Sequence, residues 1–92
     1  MASAAQPTEP KALLKGAREL YKEQRFQDSR VAFNKVISLS IEPADSAEGF
    51  YGLGLIDLGQ GDLAAATISF QKCLRLDPLN ANSYYFLGEI SG

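Results

Sequence analysis

The 92-residue chain contains no histidine. That excludes an imidazole base, a histidine-ligated metal and any serine or cysteine triad built on histidine. Its one cysteine, Cys73, can form no internal disulfide and no multi-cysteine zinc site, and is compatible with a reducing compartment. Charge of one sign is scarce too. Nine Lys and Arg stand against eleven Asp and Glu, a net charge of −2, without the basic excess of a nucleic-acid binder. No run approaches the ~18–20 apolar residues of a membrane span. The opening MASAAQPTEP has no charged and then apolar stretch of a secretory signal, so residues 1–9 are expected to form a disordered leader. These absences predict an intracellular, cytoplasmic protein without cofactor, metal, nucleic-acid or membrane partner.

The residues present make a single small domain. At 46 % hydrophobic and 22 % charged, the composition is that of a globular protein rather than a disordered chain. Apolar residues recur with helical spacing. Leu13, Ala17 and Leu20, joined by Leu14 and Tyr21, make the first stripe. Phe33, Val36 and Ile37 make a second, extended by Ser29 and Ser40. Phe50, Leu53 and Gly54, then Ala66, Phe70, Cys73 and Leu74, repeat the pattern. No period-two alternation runs long enough for a strand, so the expected class is all-α with about five helices. Breaks are expected near 25–27, 41–45, 60–62 and 77–80. Thr8 before Pro10 reads as a helix start, and Asp45 three residues before Glu48 as a capping-box spacing. Gly61-Asp62 reads as a left-handed stop followed by an N-cap, Leu76-Asp77-Pro78 as a helix end, and Asn80 as the last cap.

The stripes are also repeats. Phe50-Tyr51-Gly52-Leu53-Gly54 falls on Tyr84-Tyr85-Phe86-Leu87-Gly88 at a shift of 34, with Ile56 on Ile90. Residues 26–39 fall on 63–76 at a shift of 37: Phe26 on Leu63, Phe33 on Phe70, Val36 on Cys73 and Leu39 on Leu76. The unit Phe50-x2-Leu53-Gly54 … Gly61-Asp62-Leu63 … Ala66-x3-Phe70-x2-Cys73 … Leu76-Asp77-Pro78 resembles a tetratricopeptide repeat. Asp57 departs from it, at a position where the family usually has Tyr. Residues 10–46 resemble a degenerate first repeat, with Leu13 for the aromatic, Gly16-Ala17 for Leu-Gly, Ser29-x3-Phe33 for Ala-x3-Phe, and an insert at 44–46. Residues 47–80 form the second repeat and 81–92 the first helix of a third. The resemblance covers residues 10–92 and implies a right-handed superhelix of antiparallel helix pairs, an α-solenoid.

In that family geometry the first helix of each repeat lines a concave groove for a partner. The resemblance therefore implies a non-catalytic protein-interaction module. Its partner-binding residues would be Lys11, Leu14, Lys15 and Arg18 from the first repeat, Tyr51, Gly52 and Leu55 from the second, and Tyr85, Phe86 and Glu89 from the third. Tyr21, Glu48, Leu58 and Asn82 share the face. Leu14, Tyr51, Leu55, Tyr85 and Phe86 make an apolar floor, and Gly52 would let a ligand backbone come close. Residues 11–25 carry five Lys or Arg against two Glu, so the expected ligand is an amphipathic segment with acidic residues. The alternative for the lysines is a plain solvated face. The family's two-carboxylate clamp for chaperone tails is not expected. Its Lys, Asn, Asn, Lys and Arg positions fall on Leu14, Arg18, Gly52, Asn82 and Phe86, and only Arg18 is cationic.

Other features bound the reading. Gly49-x2-Gly52-x-Gly54 is not a phosphate-binding GxGxxG and lies in a helical stripe. Gly54, Ala66 and Cys73 are small where helices meet, so Cys73 is expected to be buried packing rather than a reactive thiol. Glu19, standing where later repeats carry Ile56 and Ile90, suggests that no repeat precedes. Tyr84, Leu87 and Gly88 would pack on a second helix of their own repeat. The expectation is either a fragment of a longer protein or, as the alternative function, a self-associating scaffold using Tyr84 and Leu87.

Overall fold

The computed structural model of the protein describes residues 9–92. Five α-helices and no strand occur among them: α1 Pro10–Lys22, α2 Phe26–Leu39, α3 Pro43–Gly59, α4 Leu63–Leu76 and α5 Ala81–Ser91. The expected leader and the Thr8 start lie outside the described residues, apart from Glu9. Glu9 itself is the N-cap of α1, in extended conformation and without a side-chain cap bond, and Pro10 follows at the start of the helix. Proline suits this position, because its missing N–H would have had no partner there.

Two of the three-residue connections, 23–25 and 60–62, use the same device. After α3, Gly61 takes φ +81° and the Asp62 amide returns to the Asp57 carbonyl at 2.9 Å. After α1, Gln24 takes φ +63° and the Arg25 amide returns to the Leu20 carbonyl at 2.9 Å. Each 6→1 bond satisfies a helix-end carbonyl and sends the chain back along the helix it has left. Glycine makes this conformation without strain; glutamine does not. Asp62 accepts from the Ala65 amide and Asn80 from the Ser83 amide, as their spacing predicts.

The start of α3 differs from expectation. Asp45 is not a cap: the helix begins at Pro43, and Glu42 is its N-cap residue, without a side-chain cap bond. Proline at the first position sets φ for a helix, so residues 44–46 extend α3 by nearly a turn instead of looping out. The expected repeat boundary at 46/47 thus falls inside a helix.

Each helix packs on its neighbour in the chain, and α1 also touches α3. The described residues measure 51 × 26 × 16 Å. One core joins the first three helices through Leu14, Ala17, Phe33, Val36, Leu53 and Ile56. Ser29 and Ala66 are fully buried where α2 and α4 cross their partners, and Ser29 Oγ donates to the Ala17 carbonyl at 2.8 Å. Further along, Phe70 and Cys73 are fully buried, and Phe70 lies across Gly54. A Cβ on Gly54 would come within 2.7 Å of the ring, so only glycine admits this packing. Asp57 is buried as well, and Arg30 of α2 reaches it with a 2.7 Å charged hydrogen bond.

Candidate functional site

A hollow of about 250 Å³ opens between α1 and α3. Its floor is Phe33, carried up from α2 and 3 % exposed, and its walls are Tyr21, Tyr51 and Leu55. Arg18 and Glu48 form an ion pair across from one helix to the other, and Lys22 stands on the rim. Phe33 can reach this place because Gly52 has no side chain. A Cβ at Gly52 would overlap three ring carbons of Phe33. Among the described residues Lys22 and Lys15 have no carboxylate within ion-pair distance, in contrast to Arg18.

Aromatic rings carry the apolar surface onward. The Tyr51 ring lies 5.9 Å from Phe70 and 6.3 Å from Phe86, and Phe86 stacks on Phe70 at 5.5 Å with an interplanar angle of 13°. Tyr85 meets Phe86 edge-on at 5.1 Å. Such pairs contribute about 0.5–1.5 kcal/mol each beyond area burial. Phe86 and Tyr85 line a second hollow with Leu58, Leu63, Glu89 and Ile90. The Tyr51–Phe86 contact joins the two. Burial raises the Tyr51 hydroxyl pKa, with the Tyr21, Cys73 and Glu48 charges adding to it. The phenol therefore stays neutral, a donor and acceptor beside an apolar floor.

Of the ten residues expected to meet a partner, Arg18, Tyr51, Gly52 and Leu55 line the first hollow, and Tyr85, Phe86 and Glu89 the second. Leu14 does not belong with them. At 3 % exposure it belongs to the core shared by α1, α2 and α3, and it reaches the surface only at the bottom of a separate hollow with Lys11, Arg18, Asp45 and Glu48. Gly52 needs a different reason as well. Its missing side chain is filled by Phe33, so it seats an internal ring and not a ligand backbone.

The basic edge is also less free than its composition suggests. Lys11 Nζ holds both carboxylate oxygens of Asp45, at 3.2 and 3.3 Å, with Glu42 at 3.5 Å. The hydrogen bond to Asp45, then its charge and that of Glu42, raise the exposed Lys11 pKa. Arg18 is bound to Glu48. The acidic residues answering this segment, Glu42, Asp45 and Glu48, stand at the start of α3 rather than within residues 11–25.

Phe33 and Lys22 escape a sequence reading of the groove. A signal for Phe33 existed: position 52 carries glycine where its repeat equivalent, 86, carries phenylalanine. A missing ring on one helix is filled by a ring from another. Among the described residues no cluster of three or more Cys, Asp or Glu could hold a metal ion, and no helix is long and apolar enough to cross a membrane. The burial-raised Cys73 thiol is fully enclosed and is not poised as a nucleophile. Comparison with models of known families, with curated proteins and with solved structures gives no match to this chain.

Proposed function

We propose that the chain is a tetratricopeptide-like module that works without catalysis, holding a peptide or helical segment of a partner protein in the groove between α1 and α3. In this reading α1–α2 and α3–α4 are successive helix pairs of a right-handed superhelix and α5 opens a third. The repeat pattern and the two matching 6→1 turns support it.

The observation that carries the function is an apolar hollow walled by Tyr21, Tyr51 and Leu55 and rimmed by Arg18 and Lys22. Half-buried tyrosines in a concavity offer large contact area at small entropic cost. An aliphatic or aromatic anchor fits the floor. A carboxylate following it would face Lys22 and Lys15, which lack an internal counter-ion, and would compete with Glu48 for Arg18. The ligand continues toward Tyr85, Phe86 and Glu89 along the joined rings. Because the charges are exposed and the floor is apolar, doubling the salt weakens binding only modestly.

Selection from a displayed peptide library, with counter-selection against a Tyr51→Ala/Leu55→Ala variant, tests this. The expected binders carry one large apolar residue beside Asp or Glu, and lose roughly tenfold or more on that variant. Binders that hold equally well to wild type and variant would place the site elsewhere.

A further inference from the structure

Each of the two hollows carries a charge that no described residue answers, and the two charges are opposite in sign. Around the first hollow, Arg18 and Glu48 satisfy one another across the groove, which leaves Lys22 as its free charge. Lys22 is exposed, and no carboxylate among the described residues lies within ion-pair distance of it. Lys15, equally unpaired, stands seven residues earlier on the same side of α1 and makes this end of the groove positive. The second hollow, of about 340 Å³, is lined by uncharged side chains and by Glu89. Glu89 is exposed too, and no Lys or Arg among the described residues comes within ion-pair distance of it.

The hollows adjoin. Tyr51 walls the first and Phe86 the second, and their ring centres are 6.3 Å apart. That contact makes them parts of one surface, so one short segment with two apolar side chains can occupy both.

We propose that this surface recognises a bipolar segment of a partner protein. It carries two apolar anchors, one for each hollow, with Asp or Glu beside the anchor over Phe33 and Lys or Arg beside the anchor against Phe86. The inference rests on the groove reading above and adds to it the charge order of the partner, and hence the direction in which the segment lies. Charge complementarity carries it. A cation near Lys22 or a carboxylate near Glu89 replaces attraction with repulsion, so a segment with its charges reversed, or acidic throughout, is rejected. Exposed pairs give only a severalfold effect each. They orient the ligand, while the apolar anchors supply most of its affinity.

The test is three parallel selections from a displayed library of short random peptides, on the wild-type chain, on Glu89→Lys and on Lys22→Glu. Circular dichroism verifies the folds. If a charge reversal unfolds the chain, Glu89→Gln or Lys22→Gln takes its place. Peptides that lose binding when Tyr51→Ala/Leu55→Ala is added to the selecting protein are counted as groove binders. On wild type these are expected to carry two apolar residues, an acid flanking one and a base flanking the other, in one order. On Glu89→Lys the base gives way to an acid while the first acid stays. On Lys22→Glu enrichment of the acid is lost while the base stays. With the glutamine variants only the corresponding enrichment disappears. A synthetic peptide of the most enriched wild-type sequence binds Glu89→Lys about fivefold more weakly than wild type at low salt, and the gap narrows at high salt.

Groove binders with the same charge pattern on all three proteins overturn the charge order and leave the groove reading standing. A selection that yields no groove binder removes both. Sedimentation showing that the wild-type chain dimerises at micromolar concentration, with the charge variants monomeric, also overturns the proposal, because the occupant is then a second copy.

Discussion

Single residues carry two features that a family pattern alone would miscast. Asp57 stands where an aromatic is usual in the resembling repeat, yet it is buried and held by Arg30 at 2.7 Å, with Gln60 Oε1 accepting from the same guanidinium at 3.1 Å. The two partners are unequally placed. The Arg30 side chain is 30 % exposed and can turn to water, whereas that of Asp57 is 8 % exposed and cannot. Removing one partner of a buried pair is costly chiefly through the charge left behind. Arg30→Ala should therefore destabilise by about 2–4 kcal/mol and Asp57→Ala by about 1–2 kcal/mol, measured by urea unfolding. The reverse order would show that Asp57 is solvated. Gln24 gives the opposite kind of prediction. It holds φ +63° in a turn where its counterpart is Gly61. Gln24→Gly relieves the left-handed strain but adds freedom to the unfolded chain, leaving a net gain of about 0.5–1 kcal/mol. An unchanged or lower thermal midpoint for this variant would count against strain at the turn.

At the scale of elements, two aligned glycines should behave oppositely. Gly54→Ala drives a methyl into the Phe70 ring and should destabilise by about 1–3 kcal/mol. Gly88→Ala meets empty space, improves helix propensity, and should stabilise by about 0.5–1 kcal/mol. Thermal unfolding of the two variants side by side checks both signs, and loss of stability at Gly88 would mean that this space is filled within the molecule. The elements themselves were legible because their signals are local. Helical stripes, Gly61-Asp62 and Asn80 are read from residues a few positions apart, and five helices follow from them. The start of α3 was not, because Asp45 has good capping chemistry in isolation while Pro43 and the cross-helix contact to Lys11 decide its place. The groove was legible in part for the same reason. Tyr51, Leu55 and Arg18 were reached through the resemblance, which assigns one face of each first helix to the groove. The burial of Leu14, the Phe33 floor and the carboxylates that answer Lys11 and Arg18 depend on which helix lies opposite, and no spacing within one helix encodes that.

For the molecule as a whole, stability is unevenly spread along its length. The shared core of α1, α2 and α3 lies at one end, while α5 buries only Ser83 and leans on α4 through Phe86 and Phe70. Opening free energies follow burial, so native-state hydrogen exchange should find the amides of α5 least protected and those near Phe33, Val36 and Ile56 most protected. The same burial makes the fold sensitive to alkali. Cys73 and Tyr51 are acids whose protonated forms are neutral, and burial is the first cause raising both pKa values; the neighbouring Ser83 hydroxyl opposes it at Cys73, while the Asp77 and Glu48 charges add to it. The native state therefore binds more protons than the unfolded chain above the ordinary thiol and phenol values. The sign follows directly: their contribution is complete below the ordinary thiol value and is lost as pH rises through the raised native ones. Lys11, also raised, loses its carboxylate contacts in the same direction at still higher pH. The urea midpoint should stay level with respect to these groups around neutrality and fall between about pH 9 and 10.5. Cys73→Ala starts from a lower midpoint, because a small cavity replaces the sulfur, but its decline begins later. Tyr51→Phe removes the upper part of the decline. A wild-type midpoint that holds constant to pH 10.5, or variants that fall as early and as steeply as the wild type, would show that neither group is buried in the native state as described.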